Sequence, residues 1–209
     1  MKIPIFASFL LLAGIIYTGV KRSNKMIKEE ENAFWEKERQ ANSVRKKSLE
    51  HLDYIHIPEE ILTLANPKHN PVLQDTLSCL NKLAENPIVN LQGITNTDLK
   101  LTYGTANITI LSEYDENYTQ LSILLQNLAG ELYEEKRNED CLKVLEFAIS
   151  TGTDISYSYY LLATLYAENG TPEKITALID NVQATRSTLK DSIIKHLQDY
   201  ANESLHSAV

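Results

Sequence analysis

Residues 128–182 read LAGELYEEKRNEDCLKVLEFAISTGTDISYSYYLLATLYAENGTPEKITALIDNV, and one pattern occurs in them twice. Leu128-Ala129 is followed by Leu132, Cys141, Leu145 and Ala148. At an offset of 34 residues, Leu162-Ala163 is followed by Tyr166, Ile175, Ile179 and Val182. A fixed period of this length, with small residues where helices must cross closely, marks a helix–turn–helix repeat. The expected fold class is therefore all-α, with paired helices stacked into a solenoid.

Outward from this core, composition sets the bounds. The 209 residues are 43% apolar and 23% charged, ordinary for a globular chain. Charge is unevenly placed. Residues 1–28 carry Lys2, Lys21, Arg22, Lys25 and Lys28 and no acid, whereas the remainder holds 15 Lys and Arg against 28 Asp and Glu, a net of −13. A portion this acidic is repelled by phosphate backbones, which disfavours nucleic-acid partners. Cys79 and Cys141 both fall on apolar faces of expected helices and read as small hydrophobes in a reducing compartment, since no disulfide framework exists.

Residues 3–20, IPIFASFLLLAGIIYTGV, are uncharged for 18 positions and as a helix span roughly 27 Å, close to the hydrocarbon thickness of a bilayer. A secretory signal peptide is the competing reading, but an A-x-A-like cleavage site is not evident and no cysteine offers lipid attachment. Residues 1–22 are thus expected to be an uncleaved anchor. Four basic residues follow the stretch, so the positive-inside rule favours a cytoplasmic C-terminal portion of a single-pass cell-membrane protein. Residues 23–48 form a charged juxtamembrane helix without Gly or Pro. Its Phe34 and Trp35 read either as part of a solvated spacer or as anchors to the domain or a partner. Arg45-Lys46-Lys47 is a weak headgroup signal.

Residues 49–107 are expected to be a helical and loop region packing on the repeats, which occupy 108–209 with a capping helix. Tyr54, Ile55 and Ile57 make an extended run before Pro58, which opens a helical turn with Glu59 and Glu60. A helix over 71–85 places Val72, Leu73, Leu77, Leu80, Leu83 and Ala84 on one stripe. Thr95-Asn96-Thr97-Asp98 is a helix start and Gly104 its stop. The Asn- and Thr-rich segment 86–107 serves either as a structural linker or as a ligand loop. His51, His56 and His69 match no metal-ligand spacing, and no metal or cofactor is expected.

Several stretches are shared with a known family: Phe34-Trp35-Glu36 with Arg39, Ala41-Asn42-Ser43 and Arg45-Lys46-Lys47, then Asp53-Tyr54-Ile55 with Ile57-Pro58. To these are added Asn90-Leu91 with Gly93, residues 95–101 with Tyr103-Gly104, and Leu145-Glu146 with Thr153-Asp154-Ile155. On them the chain resembles small single-pass membrane proteins of anaerobic Gram-positive bacteria, over nearly its whole length. The resemblance implies a membrane anchor, a tetratricopeptide-like helical domain and a cytoplasmic face, and it carries over no catalytic residue.

Within the repeats, a long first helix is expected from Ile110 to Glu135. Asn138 is expected to cap the next helix, Gly152 to end it in a left-handed conformation, Asp154 to cap the third and Thr171-Pro172 to open the fourth. A terminal helix from Ser187 to Ser204, with Leu189, Ile193, Leu197, Tyr200 and Leu205 on one face, closes the stack. Two departures from tetratricopeptide pattern stand out. Leu125 replaces the bulky aromatic expected early in the first unit, and Thr153 stands where a proline ends the repeat. In that fold the first helices of the repeats line the groove, which implies Gln126, Gly130, Tyr133, Tyr157, Tyr160 and Thr164 as partner-binding candidates, Tyr157 and Tyr160 being the free ones. The Lys and Asn clamp of chaperone-binding members is absent. No phosphate loop, nucleophile elbow, HExxH or CxxC occurs, so an enzyme is not expected. The expected role is a membrane-anchored scaffold for an unidentified protein partner. The alternative is a structural subunit of a larger membrane complex, which should expose a broad apolar patch rather than a groove.

Overall fold

A computed structural model describes residues 3–66 and 68–206, with side chains described for residues 10, 12–66 and 68–202. Among the described residues the chain is all-α. Its helices are α1 (Ile3–Ser43), α2 (Glu59–Leu62), α3 (Pro71–Leu83), α4 (Asn96–Tyr103), a 3-10 turn (Thr105–Asn107), α5 (Ile108–Glu134), α6 (Asn138–Ser150), α7 (Ser156–Glu168), α8 (Lys174–Ala184) and α9 (Lys190–His206). They form two compact units that are not consecutive in sequence: Met1–Ser48 with Thr95–Ile108, and Leu49–Ile94 with Thr109–Val209.

In the first unit α1 is one unbroken helix of 41 residues, so the apolar stretch and the charged helix are continuous. No helix among the described residues is long and apolar enough to cross a membrane. The anchor expectation rests on residues 3–20, and the side chains of residues 3–9 and 11 lie outside the described ones. Phe34 and Trp35 are exposed and meet edge to face at 5.3 Å.

The C-terminal end of α1 is clasped by α4. Thr95 caps α4 by accepting from the Asp98 amide, as the polar run before the helix predicts. Lys37 Nζ pairs with Asp98 Oδ1 at 2.7 Å, Thr97 Oγ1 donates to Glu38 Oε2 at 2.7 Å, and Lys100 pairs with Glu38. Beyond the helix, Lys47 donates its amide to Tyr103 and its ammonium to the Leu101 carbonyl, which commits this member of the basic cluster to α4. Gly104 ends α4 at φ +87°, and a Cβ there would overlap the Arg45 carbonyl. Only glycine fits both the backbone and the space.

The second unit holds one hydrophobic core built from α3 and α5–α9. The repeat is visible in the helix ends. α5 and α7 stop at 134 and 168, α6 and α8 at 150 and 184, and α7 and α9 start at 156 and 190, each pair 34 apart. Leu128, Ala129, Leu132, Cys141, Leu145 and Ala148 are all buried, as are Leu162, Ala163, Tyr166, Ile175 and Val182. Ile179 packs against the same core half-buried. Between the two helices of the first repeat Cys141 Sγ donates to the Ala129 carbonyl at 3.2 Å, and Ala129 is fully buried. α9 thus begins where the first helix of a third repeat would begin. Ile193 and Leu197 seal the stack, with Tyr200 half-buried beside them.

Several local expectations are corrected. On α3, Leu73, Leu77, Leu80 and Leu83 are buried but Val72 and Ala84 are exposed, because Asn70 caps the helix and sets Val72 on the outer face. Cys79 is exposed rather than packed. Leu189 is exposed and precedes α9, and the Leu205 side chain lies outside the described residues. Asn138 does not cap α6. Lys136 turns the chain at φ +64°, so Arg137 takes the cap position, where its guanidinium holds Asp140 Oδ2 at 2.7 Å and the Ala65 carbonyl at 2.7 Å. Gly152 does adopt the left-handed conformation, at φ +78°. Asp154 is not a cap either. Thr153 Oγ1 accepts from the Ile155 amide, and the Thr153 carbonyl accepts from the buried Tyr159 hydroxyl at 2.8 Å. Those two bonds hold the turn where proline would otherwise stiffen it. Thr171-Pro172 precedes α8 by a turn, and α8 itself starts at Lys174.

Candidate functional site

Two surfaces of the second unit are shaped for contact. The first is the face of the first helices, α5 and α7. Here Ile123 and Tyr157 occupy equivalent positions 34 residues apart, and both stay open to solvent, at 49% and 47% exposure. Large apolar side chains left exposed are the kind that a protein partner covers, and Tyr157 adds a hydroxyl with little rotamer entropy to lose.

Around this pair lie the other candidates. Tyr133 is half-buried. Its hydroxyl donates to Glu168 Oε1 at 3.3 Å and the Lys136 ammonium sits 5.5 Å over its ring. The Glu168 charge beside it raises the phenol above its ordinary range. Gln126 and Gly130 are half-buried, and the space where a Gly130 Cβ would point is open. Thr164 is half-buried and spends its hydroxyl on the Tyr160 carbonyl of its own helix.

Tyr160 differs from expectation. It is half-buried, with its ring 3.9 Å from that of His196 on α9, because α9 continues the repeat and leans on α7 at that position. Tyr159 and Tyr166 are core residues, and burial drives both phenols upward in pKa. Ile123 was not among the expected residues, although its place 34 positions before Tyr157 marks it.

The second surface is a cleft of about 820 Å³ on the side of the second helices. Its floor is apolar, from Ile149, Leu162, Tyr166 and Leu178, and none of the expected groove residues lines it. The opposing wall is the loop carrying Asn90, Gln92 and Ile94, with Asp53 and Ile55 beside it. Backbone pairing builds that wall. Ile55 donates to the Ile88 carbonyl at 2.9 Å, and Asp115 Oδ1 accepts from the Leu91 amide at 3.0 Å. Asn90 then donates to the Thr151 carbonyl at 3.0 Å, which fixes the loop to the end of α6. Part of the Asn- and Thr-rich segment therefore lines a concave surface.

The cleft's polar groups divide in two. Glu146 accepts from Tyr166 at 2.9 Å and Gln92 donates to Asp154 at 3.2 Å, so these are occupied with one another. Asp53, Asn181 and Arg186 make no side-chain hydrogen bond or ion pair among the described residues, and the Arg186 stem lies against Gly93. Carboxylate, amide and guanidinium groups facing an apolar floor suit a short amphipathic segment. No family model, curated protein or solved structure matches the chain.

Proposed function

We propose that the chain is a membrane-anchored, tetratricopeptide-like scaffold that holds a protein partner at the cytoplasmic face of the membrane. The observation that carries this reading is the repeat-equivalent pair Ile123 and Tyr157, both exposed on the first-helix face of a stack whose other repeated apolar positions are closed. A contact point of this kind binds, and nothing in its chemistry reacts. Anchoring is supported by the 18 uncharged residues of 3–20, whose backbone is helical throughout, and by the four basic residues that follow. With α1 upright, its length from Val20 to Ser43 spans roughly 35 Å. The basic cluster at 45–47 then lies far from the headgroups, and a protein contact suits it better than a lipid one.

A second docking mode, a partner segment in the cleft, is favoured by the uncommitted Asp53, Asn181 and Arg186. Site-specific photo-crosslinking in intact membranes separates the two. A photoreactive residue at Tyr157 should give one discrete adduct, with none at the exposed Lys143. An adduct at Asn181 but not at Tyr157 would move the partner to the cleft, and no adduct at either position would overturn the scaffold reading.

A further inference from the structure

The cleft on the side of the second helices holds two opposite charges that do not meet. Asp53 and Arg186 both line it, yet neither makes an ion pair among the described residues. Each is placed by its own neighbours. Tyr54 bridges Val89 and Ile55 donates to the Ile88 carbonyl, which fixes the extended run that carries Asp53. Arg186 stands two residues past the end of α8 at Ala184, and its stem runs along Gly93. A Cβ on Gly93 would stand 2.7 Å from the Arg186 Cβ and 3.3 Å from its Cδ. Gly93 has φ +71°, so glycine supplies both the backbone conformation and the room for the stem. Glu146 and Asp154 are taken up by Tyr166 and Gln92, and the Asn181 amide in the same cleft makes no such bond. Ile149, Leu162 and Leu178 give the cleft its buried apolar floor.

We propose that this cleft binds the α-carboxylate end of an apolar amino acid, either free or as the last residue of a peptide. The planar Arg186 fork takes both carboxylate oxygens, a geometry that a point charge does not match. Asp53 accepts from the nitrogen on the same α-carbon, and the apolar side chain goes to the floor of Ile149, Leu162 and Leu178. A ligand with a second acidic group meets the Asp53 charge, and a ligand with none leaves Arg186 unpaired. The volume of about 820 Å³ lies in the range of sites that enclose such molecules. The inference deepens the second docking mode by naming the end of the segment that enters the cleft. It needs neither the membrane anchor nor the Ile123 and Tyr157 face.

The test is titration calorimetry on the full chain in a neutral detergent. The probes are an N-acetylated alanyl-alanyl-leucine peptide, the same peptide ending in an amide, leucine, and leucinamide. The acid of at least one pair should bind at least about tenfold more tightly than its amide. Arg186→Gln should remove that preference, and Arg186→Lys should restore only part of it. Asp53 and Arg186 are exposed, so thermal midpoints should stay unchanged in these variants. The source of the carboxylate follows from which acid binds. Tighter binding of the peptide assigns a chain terminus, and tighter binding of leucine, weakened by Asp53→Asn, assigns the free amino acid. Equal binding of acids and amides, an acid preference that survives Arg186→Gln, or no binding of any probe would overturn the proposal. A cross-link at Asn181 without an acid preference would keep the cleft as a docking site and discard this inference alone.

Discussion

The hydroxyl of Tyr166 on α7 donates to Glu146 Oε1 on α6 at 2.9 Å, tying the second repeat to the first across their shared interface. The phenol ring is buried while the carboxylate reaches solvent. Removing the hydroxyl leaves Glu146 hydrated rather than stranded. Tyr166→Phe should therefore cost only about 1 kcal/mol, measured as a lower urea midpoint with unchanged helicity.

The repeat register makes a sharper demand at Ala129. Its carbonyl accepts from Cys141 at 3.2 Å and its side chain is fully buried in the core. Ala129→Leu should destabilise the second unit by roughly 1–3 kcal/mol through overpacking, and Leu128→Ala should cost roughly 2–5 kcal/mol through the cavity it leaves. Ile123→Ala, on the exposed face, should change stability by less than about 0.5 kcal/mol. Denaturant titrations of the three variants check the ordering.

Tyr157 and Tyr160 should part company. Tyr157→Ala removes an exposed ring and should weaken partner capture at unchanged stability. Tyr160→Ala loses the contact with His196 and should lower stability by about 1 kcal/mol. Equal stability losses in the two single variants would show that Tyr157 is a packing residue, and the contact point would be lost with it.

Alkaline pH should destabilise the second unit. Burial favours the neutral thiol of Cys141, raising its pKa from 9.0 to about 12. Between those values the unfolded chain has released the proton and the folded chain has not. The stabilisation is whole below pH 9 and is lost as pH rises toward 12. Tyr159 and Tyr166, also shifted upward by burial, act in the same direction above pH 10. The urea midpoint should be lower above pH 10 than at pH 8, and iodoacetamide at pH 8 should label the exposed Cys79 alone.

Gly104 is the pivot of the α1–α4 clasp. With φ at +87° and the Arg45 carbonyl in the place of a Cβ, Gly104→Ala should cost at least about 2 kcal/mol. Hydrogen-exchange protection of the α4 amides should fall while that of α6 and α7 stays. Acid should loosen the same clasp. The Lys100 bond holds Glu38 below its ordinary pKa, and the Lys37 bond does so for Asp98. Their contribution is present above the ordinary carboxylate range and is lost as pH falls through the lowered values.

Much of the repeat was legible because buried positions recur at a fixed offset, and small residues can occupy a helix crossing for few other reasons. Caps were harder. Asn138 and Asp154 have the right chemistry, but a left-handed Lys136 and the Thr153 bonds set each cap one position away, at Arg137 and Ile155, and single residues do not announce such turns. The continuity of α1 was hidden by its change from apolar to charged, a change that sets what surrounds a helix and leaves its backbone unaffected. The cleft was the least legible feature, since its walls come from residues 53–55, 90–94 and two second helices that no local pattern links. For the first-helix face, the exposure of Tyr157 follows from its place in the repeat, and the same 34-residue offset points to Ile123.

The most direct test of the account is where the chain resides and which way it faces. Membranes from cells making the full chain are extracted with alkaline carbonate, and spheroplasts are treated with protease before and after they are opened. The chain should stay with the carbonate-washed membrane, and its C-terminal portion should resist protease until the spheroplasts are opened. Release by carbonate would contradict the anchor. Digestion in intact spheroplasts would put the contact surfaces outside the cell, and the proposed cytoplasmic scaffold would be wrong.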